Sequence, residues 1–340
     1  MMGGTRRSVR RGRVVVLTLV LAALVTTLAL LSLGDLAVPP SEVIRAFCGQ
    51  AQWKNQLFVI DVRLPRVLVG LLAGSAFGLS GSIFQALVHN PLASPDIIGI
   101  TSGAGAAAAA CVLVLGLSGE AVSVGALAGA LATAMVIYLM SRRRGRADHR
   151  LVLVGIGATA LLSSLTSYLL TRANVNDAQQ VLLWLTGSLS GRTWTQASTL
   201  ALFLVPLVSA AMALARPLSV LALGDDLARG LGVRVERCQL GLLVTAVALA
   251  AVATSAAGPV AFVALVSGPA ARRLVRGGGA ALTASALMGA LVMTVSDFAA
   301  QHLFLPVELP VGIVTGAVGG PYLLVLLITA KRGHSAVGGW

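Results

Sequence analysis

Residues 63–104 read RLPRVLVGLLAGSAFGLSGSIFQALVHNPLASPDIIGITSGA. Arg63 and Arg66 bracket Leu-Pro. An apolar run from Val67 to Ile83 follows, and Gln85, Asn90, Pro91 and Pro95 interrupt the pattern before a second apolar run opens at Ile97. Gly70, Gly74 and Gly78 recur every four residues, which on a helix places them on one face. Such a face lets a neighbouring helix approach backbone to backbone, and in lipid that packing is a main source of helix association. Any Gly-rich membrane helix shows this spacing, so the glycines alone leave function open.

The chain around this stretch has the composition of a membrane protein. Hydrophobic residues make up 57% and charged residues 11% of 340 residues, against roughly 25% charged in a soluble domain. The charges gather in short clusters between apolar runs, so the expected fold class is all-α and polytopic, a single transmembrane domain over residues 1–340. The net charge of +13 would suggest nucleic acid in a soluble protein. Here arginines on cytoplasmic loops account for it, and no nucleic-acid partner is expected. Cys48, Cys111 and Cys238 lie far apart without CxxC spacing, which suits packing rather than metal ligation or a disulfide framework.

Ten spans are expected: 14–33, 64–87, 97–117, 121–140, 151–170, 197–215, 240–257, 260–271, 280–298 and 309–330. The first follows a basic segment, residues 1–13, and is longer than the apolar core of a signal peptide, so an uncleaved helix is the better reading. Residues 34–61 read as a loop with a short helix from Ser41, whose side chain could cap it. After the fifth span, TRANVNDAQQ is polar and VLLWLTGSLSGRTW is apolar but broken by Gly187 and Gly191. Residues 216–238 form the longest polar loop of the second half. The eighth span is short and holds Gly268-Pro269.

Charge tests that count. With a cytoplasmic amino terminus, the cytoplasmic segments carry 19 of the 25 Lys and Arg, including Arg142, Arg143, Arg144, Arg146 and Arg150 in one loop. This is the positive-inside pattern, and it places both termini in the cytoplasm.

The residues exclude most chemistry. The only lysines, Lys54 and Lys331, follow no Gly-rich loop, so there is no P-loop; HExxH, GxSxG and His/Cys metal spacings are also missing from the sequence. Ion-coupled transporters usually place an ionisable residue at mid-membrane. The nearest candidate is Asp297 at the end of span nine, and two readings of it stand: a functional carboxylate, or a helix-end residue meeting water or Gln301. A transporter with neither an ATPase motif nor a coupling-ion site needs an external engine. The loop LGDDLARGLGV offers it a docking helix, with Asp225 and Asp226 in the first turn, where carboxylates suit the helix dipole. A surface connector without a partner would have the same appearance.

The whole string resembles the FecCD family of ABC importer permeases. RLPR at 63–66 and GSAFGLSGSIFQALVHNPLASPDIIGITSGA carry the likeness. So do WLTGSL at 184–189, LALGDDLARGLGV at 221–233, GPVAFVALV at 258–266 and LPVGIVTGAVGGPYLLVLL at 309–327. Within the family the chain looks closest to catecholate (ferric enterobactin-like) siderophore permeases.

The resemblance implies a subunit of the bacterial cytoplasmic membrane that imports ferric siderophore by alternating access. It implies a second permease subunit, two cytosolic ABC ATPase subunits and an extracytoplasmic siderophore-binding protein. No cofactor is expected on this chain, since ATP and Mg belong to the partner ATPase, and no metal or catalytic residue is expected. By the same resemblance, Arg63 and Arg66 dock the binding protein, Gly224, Asp225, Asp226, Leu227, Ala228, Leu231 and Gly232 form the coupling helix, and Asn90, Pro91 and Leu92 form the cytoplasmic gate.

Two departures from the family pattern stand out. Gln301 occupies the place of a third docking arginine. Gly268-Pro269 displaces the usual proline by one position, and the following Arg272, Arg273 and Leu274 resemble one partner of heterodimeric permeases, so a paralogous second subunit is expected. The alternatives are a cobalamin or haem importer permease and, from another class, an ion-coupled secondary transporter.

Overall fold

The computed structural model describes residues 2–34, 36–141, 147–275, 281–303 and 308–335. Arg142, Arg143, Arg144 and Arg146 of the basic loop, and Arg276, lie outside them. The described residues are helical and contain no strand. The helices are α1 (Met2–Ser32), α2 (Pro40–Phe47), α3 (Trp53–Gln56), α4 (Leu64–Leu87), α5 (Ile100–Leu113), α6 (Glu120–Ser141), α7 (Ala147–Arg172) and α8 (Val175–Leu185). They continue with α9 (Trp194–Ala213), α10 (Ala215–Leu221), α11 (Asp225–Gly230), α12 (Val235–Ala257), α13 (Val263–Val275), α14 (Leu282–His302) and α15 (Val311–Ser335). Seven helical stretches among the described residues are long and apolar enough to cross a membrane, and 100–113 and 311–325 are shorter apolar helices. Each expected span falls on a helix.

α4 is the central element. Its most apolar window is 78% buried, against 11% for α7, so α7 faces outward, as Leu153, Ile156, Leu161 and Leu165 show. α4 packs on α14, α12 and α13. A Cβ on Gly74 would meet the Gly289 carbonyl of α14 at 2.5 Å, and one on Gly78 would run into the Ser285 carbonyl. The two backbones are therefore as close as the missing side chains permit. Ser80 donates to the Ala246 carbonyl of α12 at 2.6 Å, which satisfies its hydroxyl inside an otherwise apolar contact.

Three local expectations change. Residues 34–61 are more helical than read: α3 continues through a π-helical stretch, Leu57–Arg63, directly into α4. Val59 drives this, being fully buried in a cluster with Leu30, Leu31, Val38, Val43 and Val67. The short helix begins at Pro40 rather than Ser41, and no side chain caps it, because proline's fixed φ suits the first helical position. Between the fifth and sixth spans, α8 crosses the change from polar to apolar composition, and the Asn174 side chain accepts from Asp177 N at 3.0 Å to cap it.

The eighth expected span shifts to α13. It starts late because Gly258 (φ +78°) and Phe262 (φ +69°) hold 258–262 out of helical geometry. Thirteen residues rise only about 20 Å, less than the roughly 30 Å of a hydrocarbon core.

Candidate functional site

α4 sets two ends. At its start Arg63 and Arg66 project from adjacent turns, and beyond its finish lies the Asn90 loop. α14 runs antiparallel, which brings Asp297 to the Arg66 end.

There the charged side chains close on one another. Arg66 Nη2 lies 3.0 Å from Asp297 Oδ1, and Arg66 Nη1 lies 3.1 Å from Glu308 Oε2. The Arg66 and Asp297 side chains are 15% and 2% exposed. Gln301 Nε2 donates to Asp297 Oδ2 at 2.8 Å. Asp297 is thus a buried acceptor served by Arg66 and Gln301, not a residue meeting water. Arg63 donates to the carbonyls of Leu31 and Leu36 at 2.7 and 2.5 Å, bracing the link between α1 and α2. Arg63, Arg66, Gln301 and Glu308 line one cleft of about 210 Å3. The sequence brought Arg63, Arg66 and Gln301 together; it gave no sign that Glu308 completes the group.

Beside it, three non-helical breaks converge. Ser188 N donates to the Ala257 carbonyl at 3.0 Å, and Gly312 N donates to the Gly187 carbonyl at 3.2 Å. Gly187 adopts φ +71°, and a Cβ there would meet the Pro259 carbonyl at 2.6 Å, so only glycine fits. In a membrane protein, irregular backbone is tolerated where protein or a cavity surrounds it. These breaks border a second cleft of about 520 Å3, lined by Trp184, Ser190, Arg192, Gln196, Glu308 and Leu309 among others.

At the opposite end, the loop after α4 meets the segment before α11. Asn90 Oδ1 accepts from Leu92 N at 2.9 Å, and the Asn90 carbonyl accepts from Ala93 N at 3.1 Å. Pro91 thus sits inside a tight turn, a common use of Asn and Pro. His89, at φ +52°, places Nε2 3.2 Å from the Leu221 carbonyl at the end of α10. Close by, Asp96 is half-buried. Burial raises its carboxyl to about 6, although hydrogen bonds from Ser94 and Thr101 pull the other way.

α11 is framed by glycines: Gly224 has φ +107° and Gly232 φ +81°. Gly232 N donates to the Arg229 carbonyl and Val233 N to the Ala228 carbonyl, both at 3.0 Å. This is the Schellman ending, in which glycine takes the left-handed position. Ala228 is buried and anchors the helix, while Asp225 accepts from Gln239 Nε2 at 3.2 Å. Leu227 on α11 is 61% exposed, and Leu223 and Leu231, just outside its two ends, are 62% and 65% exposed. Sequence reasoning named Leu227 and Leu231 but missed Leu223, which is exposed to the same degree before Gly224.

A model of the FecCD transport family matches residues 19–329. The chain belongs to that family. Relatives extend over almost the whole chain. The ferric enterobactin transport system permease protein FepG of Escherichia coli (strain K12) is 40% identical over 323 residues, covering 95% of this chain and 98% of its own. The achromobactin transport system permease protein CbrC of Dickeya dadantii (strain 3937) is 41% identical, covering 94% of this chain and 92% of its own. A solved transporter described as of the metal-chelate ABC type, in an inward-facing conformation, superposes with a TM-score of 0.83 at 25% identity. It covers 92% of this chain and 98% of its own. As a FecCD member the chain is a transport subunit, not an enzyme, and a multi-pass membrane protein.

Proposed function

We propose that this chain is the permease subunit of a binding-protein-dependent ABC importer that carries ferric siderophore across the bacterial cytoplasmic membrane. Ten spans with both termini in the cytoplasm make the Arg66 end extracytoplasmic and the α11 end cytoplasmic. The observation that carries the reading is α11 itself, a short glycine-framed helix at the end away from Arg66, with Leu227 exposed on it and Leu223 and Leu231 exposed just outside its two ends. Three exposed leucines gathered on one polar loop suit a protein contact, here a groove on a separate ATPase. ATP and Mg belong to that partner. Relatives that serve ferric enterobactin and achromobactin systems support the substrate class.

Mechanically, α11 would take up the ATPase movement. Its neighbour α10 touches the Asn90 loop through His89 and Leu221, so movement at α11 has a direct route to the expected gate at Asn90, Pro91 and Leu92. Paired helices that shift as rigid bodies switch a pathway between two openings. At the outer face, the cleft holding Arg63, Arg66 and Gln301 is the proposed seat of the binding protein. Charge on this rim would steer docking and fix orientation more than supply affinity, with Arg66 already paired to Asp297 and Glu308 within the chain. A second permease, a paralogue of this chain, completes the pathway.

Radiolabelled ferric siderophore uptake tests the proposal in cells carrying the intact system. Deleting this chain should abolish uptake, and vanadate should block the intact system. Transport that persists without the ATPase and collapses with the proton gradient would overturn the importer reading. Loss of cobalamin or haem uptake alone would overturn the substrate.

A further inference from the structure

Arg192 sits in the 520 Å3 cleft beside the converging breaks, and its charge has no acidic partner there. Its Nε and Nη2 both donate to the Ser188 carbonyl, at 3.1 and 2.8 Å, which fixes the guanidinium and leaves donors on Nη1 and Nη2 directed elsewhere. Among the described residues no carboxylate forms an ion pair with it. Glu308 is the one acid lining the cleft, and it is held by Arg66 at 3.1 Å. Desolvation lowers the Arg192 pKa from the ordinary arginine value, so the cation is held there at a cost that an incoming anion would offset.

The surroundings suit a ligand. Gln180, Ser190 and Gln196 supply polar groups and Trp184 an aromatic wall, the mixture of apolar lining and few placed polar groups typical of small-molecule sites. The twenty-residue α9 begins at Trp194, and its positive end adds to the potential. The turn itself is clamped to the ends of α12 and α15 through Ser188–Ala257 and Gly187–Gly312. Arg192 is thus mounted on rigid backbone at the point where α8, α9, α12 and α15 meet.

We propose that Arg192 contacts a negatively charged substrate in the outer cleft and selects anionic iron chelates over neutral ones as they leave the binding protein. This rests on the importer reading above. The natural fit is a ferric tris-catecholate, whose oxygens carry spread negative charge that a guanidinium can meet with two donors.

The test uses the complete transporter, with partner permease, ATPase and binding protein, and radiolabelled ferric tris-catecholate as the probe. Arg192→Lys, Arg192→Gln and Arg192→Glu are compared for uptake rate, capture of the loaded binding protein and basal ATPase activity. Uptake should fall in the order Arg, Lys, Gln, Glu, with the Gln variant down roughly tenfold or more, the scale of one lost charged hydrogen bond. Binding-protein capture and basal ATPase activity should stay at the wild-type level. Uptake by the Gln variant within about twofold of wild type would overturn the proposal. Equal losses in all three variants would also overturn it, because they would mark Arg192 as a brace for Ser188 alone. A loss that tracks weaker capture would transfer the contact to the binding protein and overturn it too. If the wild-type system takes up no ferric chelate at all, the importer reading falls first and this inference with it.

Discussion

The two ends of α4 carry opposite solutions to the same problem of placing polar groups beside a membrane core. At the Arg66 end, charges are satisfied by one another: the largely buried Arg66 with Asp297 and with the half-exposed Glu308, Gln301 with Asp297. At the other end, α11 hangs from one buried alanine and a glycine-shaped ending, with Leu227 on it and Leu223 and Leu231 beside its ends exposed to the surroundings. The first end is locked internally. The second is complete only against another surface. A fixed rim with a docking helix at the far end is an arrangement in which force can enter at one end while the other keeps its shape.

The largest expected effect comes from breaking the locked end. Asp297→Ala leaves Arg66 partly buried beside Glu308 alone, and removing one partner of a buried pair costs about 3–5 kcal/mol. The variant should show a lower melting temperature in detergent and reduced membrane yield. The double variant Arg66→Met, Asp297→Leu should recover much of the loss, since apolar replacement of a buried pair is often neutral. If Asp297→Ala were as stable as the parent, the pair would be no lock.

The next effect concerns the open end. Truncating Leu227 to Ala removes an exposed side chain whose burial against a partner is worth about 1.5–3 kcal/mol. ATPase binding to the permease should weaken by roughly 10–100-fold, with no change in permease melting temperature. A fall in melting temperature instead would mean that Leu227 serves the fold.

Gly232→Val acts on the shape of α11 rather than its surface. Space is open around Gly232, but φ +81° is strained for a β-branched residue, by about 1–3 kcal/mol. ATPase activity should continue while uptake falls, and normal uptake would count against α11 as the coupling element.

The smallest effect lies at Asp96. Its carboxyl is raised from 3.8 to about 6, so the folded state binds its proton more tightly than the unfolded chain does. Stability should therefore fall as pH rises from about 4 to 6 and stay reduced above that. Asp96→Asn should remove this slope and raise stability at pH 8 by about 1 kcal/mol, part of the 1.36 kcal/mol per unit being screened near the loop surface. Melting curves of both proteins at pH 5 and 8 would check it, and parallel curves would place the carboxyl in water.

Much of this was legible because lipid imposes a coarse rule. A long apolar run must be a helix, since only a helix satisfies its own backbone there, so each expected span falls on one. The glycine spacing in α4 was readable for the same reason, as was the placement of Asp225 and Asp226 at the start of α11. Segments that need not span escaped the rule. Residues 34–61 read as a loop, yet Trp53–Arg63 is helical because Val59 is buried by residues from α1 and α2. Asp297 could be read two ways until Arg66, 231 residues away, was seen beside it.

The sequence by itself determined the membrane class, the long apolar helices, the glycine face of α4 and the glycine-framed helix at α11, because each follows from local composition or spacing of a few residues. Only the tertiary structure decided where Arg63 and Arg66 send their donors, that Glu308 joins them, and that Arg192 stands in a cleft without an acidic partner. Those facts depend on which distant chain segments meet, and in a bundle of similar apolar helices the choice is made by close packing over the whole assembly.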